Sequence, residues 1–571
     1  MFEPGATLHG FTVQSSEELP EIDGQAIVMR HACGARLLYL ANEDDNKSFS
    51  IAFPTPPADD TGVFHILEHS VLCGSKKFPV KEPFVNLLKT SMQTFLNAMT
   101  FADKTLYPVA STNQQDLLNL IDVYMDAVLN PAIYTDRHIF EQEGHHYELE
   151  DGNLVYNGVV FNEMKGALSD PESVVYHEVN RQLFPNSCYA FESGGHPRAI
   201  PQLTYESFID THARHYRLDN SYIVLYGDLD ANEVLGFLDR EYLGKPQPAA
   251  PSAPNPVGNC QAPTARVDDA AIEMDTAPEN ACVGIGYVVG DAHDFERALA
   301  VDILLDALMG SNESPLKRAL LDADLGGDCT AYLLEAQAAP AVLFLLKNAK
   351  PGTAQRFREV LEGAARRLVE EGIPRDVLEA SLSQMSFDLR ERDRGIADGV
   401  ALAINALAGW LYSDDDATTC LHYEQPLAAM RAGLEGRYFE DVLAQLLLDN
   451  VHSALVDLHP AKPEEDAEAL ELAEATRQLD DEGRARIEQM VSELRARQEA
   501  PDDPADLAKL PQLHVSDIGP AKSDPDLQVM RDTPLPCLYH DIPARHINYL
   551  TAYFGLEGLS FDDLPYAVLL A

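Results

Sequence analysis

The sequence predicts an α/β (α+β) protein assembled from repeated units, with a helical hairpin between the second and third. Three observations predict it. A strand–loop–helix pattern recurs along the chain. A charged stretch between two of its copies carries apolar residues at helical spacing. At 571 residues the chain is also too long for a single compact core.

In the first unit, Ser48-Phe49-Ser50-Ile51-Ala52-Phe53 reads as a short strand. A Pro-rich loop follows, then a helix from about Val63 that ends at Leu72-Cys73-Gly74-Ser75. In the second, Cys282 to Val289 reads as a strand, Gly290 opens a loop, and a helix ends at Leu308-Met309-Gly310-Ser311. Aligning Gly74 with Gly310 gives an offset of 236 residues, the size of a duplicated domain and not of a solenoid repeat. A third copy is expected from a strand over Ile547 to Phe554 and a helix starting at Phe561-Asp562-Asp563-Leu564. It stops inside that helix, so a longer parent is expected to continue past Ala571.

Between the second and third copies, Leu470, Ala473, Ile487, Met490, Val491 and Leu494 recur at helical spacing, with Gly483 between the two groups. Two amphipathic helices joined by a turn at Gly483 are predicted. Six prolines between Pro246 and Thr264 mark a domain boundary. The expected division is 1–250, 265–460, a hairpin linker over 461–525, and the start of a third repeat over 526–571.

Acidic residues number 92 against 42 basic ones, a net charge of −50. Phosphate contacts need clustered Lys and Arg, so nucleic acid is not an expected partner. An acidic surface keeps the protein soluble, and an acidic chamber would draw in basic peptides. No apolar run reaches the roughly 18–20 residues a membrane helix needs. No basic segment precedes an apolar one near Met1, and a cytoplasmic location is expected. The eight cysteines are scattered without a CxxC, as free thiols in a reducing compartment would be.

One helix carries chemistry. His65 and His69 are four residues apart, so they stack on one face and can place two imidazole nitrogens on one metal ion. Glu68 points to nearly the same side and is free to act as general base on an activated water. The order His-x-x-Glu-His reverses the common HExxH. Ile66 and Leu67 are expected to face the core. In the duplicate, the 236-residue offset puts Val301, Leu304 and Leu305 at these positions. Polar groups on a core helix are costly unless used. One unit therefore reads as catalytic and the other as structural.

A zinc site needs a third protein ligand. Glu141, Glu143, Glu148, Glu150, Glu163 and Glu172 are candidates that spacing does not separate, although Glu163 sits in a largely apolar run. The adjacent His145 and His146 point apart, and the pair His212 and His215 has no base nearby.

Several motifs in order resemble the pitrilysin-type (inverzincin) metallopeptidases, and among them the presequence proteases. They are Phe64 to Ser75, Thr94 to Thr100, Lys104-Thr105-Leu106-Tyr107-Pro108, Gly158 to Gly166, Ser193-Gly194-Gly195-His196-Pro197 and Leu203-Thr204. The resemblance implies that His65, His69 and Glu163 bind one zinc ion and that Glu68 is the base. It implies duplicated units, each a mainly antiparallel sheet packed with helices, in two halves closing around a chamber. It makes Asn97, Ala98, Met99 and Thr100 an edge strand to which unfolded peptide substrates add. The family's Arg and Tyr from its C-terminal half would lie beyond Ala571, in the expected missing half. The implied function is zinc-dependent endopeptidase action on peptides; the alternative is a non-catalytic peptide-binding member.

Overall fold

The computed structural model describes residues 2–246, 257–392, 395–462, 467–520, 525–542 and 544–570. Residues 247–256 of the expected domain boundary, and 463–466 and 521–524 of the expected hairpin, lie outside them.

The first unit is built on nine strands: β1 (Thr7–Leu8), β2 (Phe11–Leu19), β3 (Gly24–His31), β4 (Arg36–Ala41), β5 (Lys47–Pro54), β6 (Gln93–Leu96), β7 (Met99–Thr100), β8 (Lys104–Ser111) and β9 (Tyr222–Tyr226). Their order is β1-β2-β3-β4-β9-β5-β8-β6, with β7 beside β8. Only β4 and β9 run parallel. The second unit has β10 (Val267–Met274), β11 (Cys282–Val288), β12 (Asp328–Leu334), β13 (Ala341–Lys347) and β14 (Ser453–Pro460), in the order β10-β14-β11-β13-β12. Here too a single pair, β10 and β14, is parallel. The two sheets are one design used twice. Strand for strand the second begins 231 to 237 residues after the first, as Arg36 against Val267 and Lys104 against Ala341 show.

The helices that position the site are α1 (Val63–Val71), α2 (Gln114–Leu129), α3 (His138–Glu143), α4 (Val159–Ala167), α5 (Pro171–Leu183), α6 (Phe295–Met309), α7 (Asp398–Trp410), α8 (Ala467–Gln478) and α9 (Asp481–Glu499). Strands β5 and β8 are buried along their whole length, because both faces of the sheet are covered. On one face α1 and α2 supply Ile66, Leu67, Leu117 and Ile121. On the other, α7 from the second unit lays Leu402, Ala406 and Trp410 on Leu38, Val224 and Tyr226. The exchange is mutual. Helix α5 of the first unit sets Val175, Val179 and Leu183 on Leu343 and Val456 of the second sheet. It comes so close that a Cβ at Gly284 or Gly286 would lie 2.4 Å from a valine methyl.

In the duplicate helix α6, Val301, Leu304 and Leu305 are buried in the second core. Helices α8 and α9 meet at Leu479 and Asp480, not at Gly483. Gly483 lies inside α9, where its N–H donates to the capping Asp480 carboxylate at 2.7 Å. The buried side chains of α8 are Leu472 and Thr476, while Leu470 is exposed. Thr476 Oγ1 accepts from Leu154 N–H, and that contact decides which face turns inward.

The strand expected over Ile547 to Phe554 does not form. An extended run needs a neighbour for its N–H and C=O groups. Here the chain instead turns through Arg545 and His546, both with positive φ, and Ile547 N–H donates to Ala544 O. The strands of this region are Leu527–Met530 and Cys537–His540, a two-stranded hairpin. The helix expected after Phe561 is present at Leu564–Leu570.

Candidate metal centre

Helix α1 begins at Gly62, whose φ of 64° suits glycine. A Cβ there would lie 2.5 Å from Gly194 O. The missing side chain lets the segment around Gly194 lie on the start of α1, and His65 Nδ1 donates to Gly194 O at 2.9 Å. Asp60 anchors that segment by accepting from Glu192 N–H and His196 N–H, each at 2.8 Å. A second close approach sets α4. A Cβ at Gly158, the residue before α4, would lie 2.2 Å from Gly144 O, just after α3. Glu143 and Glu163 therefore reach His69 from two sides.

His69 Nδ1 lies 3.3 Å from Glu143 Oε2. Burial works to raise the Glu143 pKa, but hydrogen bonds from His69 and Gln142 outweigh it and hold the carboxyl below its ordinary range. Burial works to lower the His69 pKa, yet the bond to Glu143 and the charges of Glu68, Glu143 and Glu163 raise it. A carbonyl or carboxylate oxygen only accepts, so both Nδ1 atoms carry hydrogen. In the neutral rings Nε2 keeps its lone pair. Glu163 Oε2 is 3.7 Å from each of these two Nε2 atoms. Tetrahedral donors bonded at about 2.0–2.1 Å to one ion sit on the order of 3.3 Å apart, so a small side-chain shift suffices. Two imidazoles and a carboxylate, with outer oxygens fixing both tautomers, suit a borderline ion such as zinc.

Glu68 is held differently. Its Oε2 accepts a 2.8 Å hydrogen bond from Thr100 Oγ1, while its carboxylate stays within 4.8 Å of the histidine donors. Thr100 belongs to the sheet edge. The stretch expected as one strand is broken: β6 ends at Leu96, β7 begins at Met99, and Asn97 and Ala98 lie between. A register shift between Gln93 and Phe95, and Tyr124 OH donating to Asn97 O at 3.2 Å, account for the break. Beyond β6 and β7 no further strand is paired among the described residues.

The remaining candidates are occupied elsewhere. Glu141 pairs with Arg137, Glu148 with His146 and Arg495, and Glu172 with Lys347. His145 donates to Leu203 O and His146 contacts Glu141 O. His212 is buried against Val128 O and Tyr134, while His215 faces Pro54 O. Sequence reasoning missed the support of His69 by Glu143, the carbonyl of Gly194, and the hold of Thr100 on Glu68. Nothing in their spacing announces them.

Two family models match the chain. One is the "Peptidase M16 inactive domain", over residues 202–385. The other is the associated segment of M16 peptidases of subfamily C, over residues 459–571. The first excludes His65, Glu68, His69 and Glu163. The chain is 38% identical to Protein HypA of Clostridium perfringens, across 100% of this chain and 59% of that protein. It is 36% identical to Presequence protease 1, chloroplastic/mitochondrial, of Arabidopsis thaliana, across 97% of this chain and 53% of that protein. The chain thus spans little more than half the length of these relatives. A protease from Helicobacter pylori superposes with a TM-score of 0.62 at 15% identity, covering 76% of this chain and 100% of that one. The periplasmic protease PqqL from Escherichia coli gives 0.54 at 15% identity, over 91% of this chain and 54% of its own. At such identities the likeness concerns the fold alone. Taken with the sequence relatives and the family models, it leads to one assignment: the chain belongs to the M16, pitrilysin-type peptidase family and is similar to its presequence proteases.

Proposed function

We propose that this chain carries the catalytic zinc centre of an endopeptidase acting on unfolded peptides, basic ones included. His65, His69 and Glu163 hold the ion, and the single oxygen of Glu163 that faces both Nε2 atoms carries this reading. Zinc so held supplies a Lewis acid that polarises the scissile carbonyl and makes water acidic enough to lose a proton near neutral pH. Glu68, fixed by Thr100, takes that proton and passes it to the leaving amine. An extended peptide pairs its backbone with the open edge of β6 and β7, which recognises main chain more than sequence. Asn97, Ala98, Met99 and Thr100 line that edge. The part of the relatives that this chain does not span closes the chamber. All eight cysteines are free, which supports a cytoplasmic role in peptide clearance.

The experiment measures zinc content and cleavage of a fluorogenic, unstructured peptide. Wild type and Glu68→Gln are compared, in this chain and in a chain extended to its relatives' length. Glu68→Gln keeps zinc and loses cleavage. Equal cleavage by both proteins, or no zinc in either, rejects the mechanism. A non-catalytic peptide-binding role is the second reading, favoured by the inactive-domain match over 202–385. It requires peptide binding without turnover in the extended wild type.

A further inference from the structure

The second unit has apolar residues where the first has chemistry, yet it reaches to within a few residues of the site. Strand β7 ends at Thr100, the residue that holds Glu68. The chain then turns, Phe101 N–H donating to Lys104 O at 2.8 Å, and returns as β8. Inside that turn Asp103 and Lys104 form an ion pair of 3.1 Å whose side chains are wholly buried. Its partners come from both units. Lys104 Nζ donates to Ala336 O at 2.8 Å and lies 5.2 Å from the Phe101 ring and 6.0 Å from the Tyr412 ring. Asp103 Oδ2 accepts from Tyr189 OH and Tyr412 OH, each at 2.6 Å. Tyr189 OH in turn accepts from Ala338 N–H at 2.6 Å. Phe101 packs with Trp410 and Leu402 of the second unit's α7, and Ala102 with the cluster around Val456.

A buried ion pair adds little net stability over apolar packing, but it demands one geometry. This one is satisfied only when both units are docked. We infer that Asp103, Lys104 and Tyr412 are positioning residues through which the second unit fixes the turn after β7. They thereby hold the peptide-binding edge and the Thr100 hydroxyl that orients Glu68. The inference deepens the proposed function and rests on it for the catalytic consequence, but not for the structural one.

The test uses the whole chain and three variants. Tyr412→Phe removes one hydroxyl supplied by the second unit. Lys104→Met removes the buried charge. Leu407→Ala weakens the same inter-unit face away from the turn. Backbone hydrogen exchange is followed at residues 97–101, with zinc content and the kcat and KM for a fluorogenic unstructured peptide. Tyr412→Phe and Lys104→Met are expected to speed exchange at 97–101 at least tenfold. Zinc content stays unchanged and KM rises more than kcat falls. Leu407→Ala leaves exchange at 97–101 within twofold of wild type. Unchanged exchange in the first two variants overturns the inference, as does an equal rise in Leu407→Ala. Should Lys104→Met fail to fold, Tyr412→Phe decides alone. Absence of zinc and cleavage in wild type would reject the proposed function while the exchange result still judges the positioning role.

Discussion

Thr100 Oγ1 donates a 2.8 Å hydrogen bond to Glu68 Oε2, tying the open sheet edge to the helix that carries both histidines. The residue that would flank a bound peptide thus also orients the residue assigned as base. Binding and proton transfer share one contact.

Thr100→Val keeps the shape and the backbone pairing of β7 and removes only that hydroxyl. A hydrogen bond to a charged group contributes about 1.5–3 kcal/mol, so kcat for peptide cleavage should fall on the order of 10- to 100-fold. Zinc content should not change. Thr100→Ser should recover most of the rate, and a Val variant as fast as wild type would sever the link between edge and base.

Glu143 touches His69 at Nδ1, on the side of the ring away from Glu163. Glu143→Ala frees the imidazole to rotate and removes a buried negative charge. Outer partners of this kind change metal affinity roughly 10- to 100-fold. Competition against a chelator should show zinc binding weakened by that factor. An unchanged affinity would leave Glu143 a purely structural residue.

Gly62→Ala meets two obstacles at once, a left-handed φ and Gly194 O at 2.5 Å from the new Cβ. Strain of this kind is worth about 1–3 kcal/mol. The variant should unfold at lower denaturant concentration with an unchanged slope, and should lose zinc affinity because His65 leans on Gly194 O. Wild-type stability would show that the neighbouring segment moves aside freely.

Burial pushes His212 down to about 4, although its bond to Val128 O opposes the shift. Its unfolded value is about 6.5, so between these values the unfolded chain binds the extra proton. The stabilisation is complete above about pH 6.5 and is lost as pH falls towards 4. At pH 5 the loss is roughly 2 kcal/mol from this one group. His177 and His215, held near 4 mainly by burial, act in the same direction. Denaturation curves at pH 7.5 and pH 5 should show the drop, and His212→Gln should reduce it. A His212→Gln protein with the full wild-type pH slope would contradict the assignment.

The sequence by itself determined what is local or repeated. Four-residue spacing on a helix puts His65 and His69 on one face whatever surrounds them, and the apolar Val301, Leu304 and Leu305 set the contrast. The 236-residue offset anticipated two sheets of one strand order, because strand and helix signals repeat with the chain. Tertiary structure alone decided the rest. Six glutamates follow the motif, and only packing selects among them: backbone contact between Gly144 and Gly158 aims Glu163 at both Nε2 atoms and leaves Glu143 behind His69. The same holds for the strand expected after Ile547, whose apolar pattern found no neighbouring strand to pair with. Likewise, no spacing in the sequence joins Asp103 to Tyr412, 309 positions away. Local geometry follows from covalent periodicity, whereas a buried polar contact exists only where two distant surfaces have come together and excluded water.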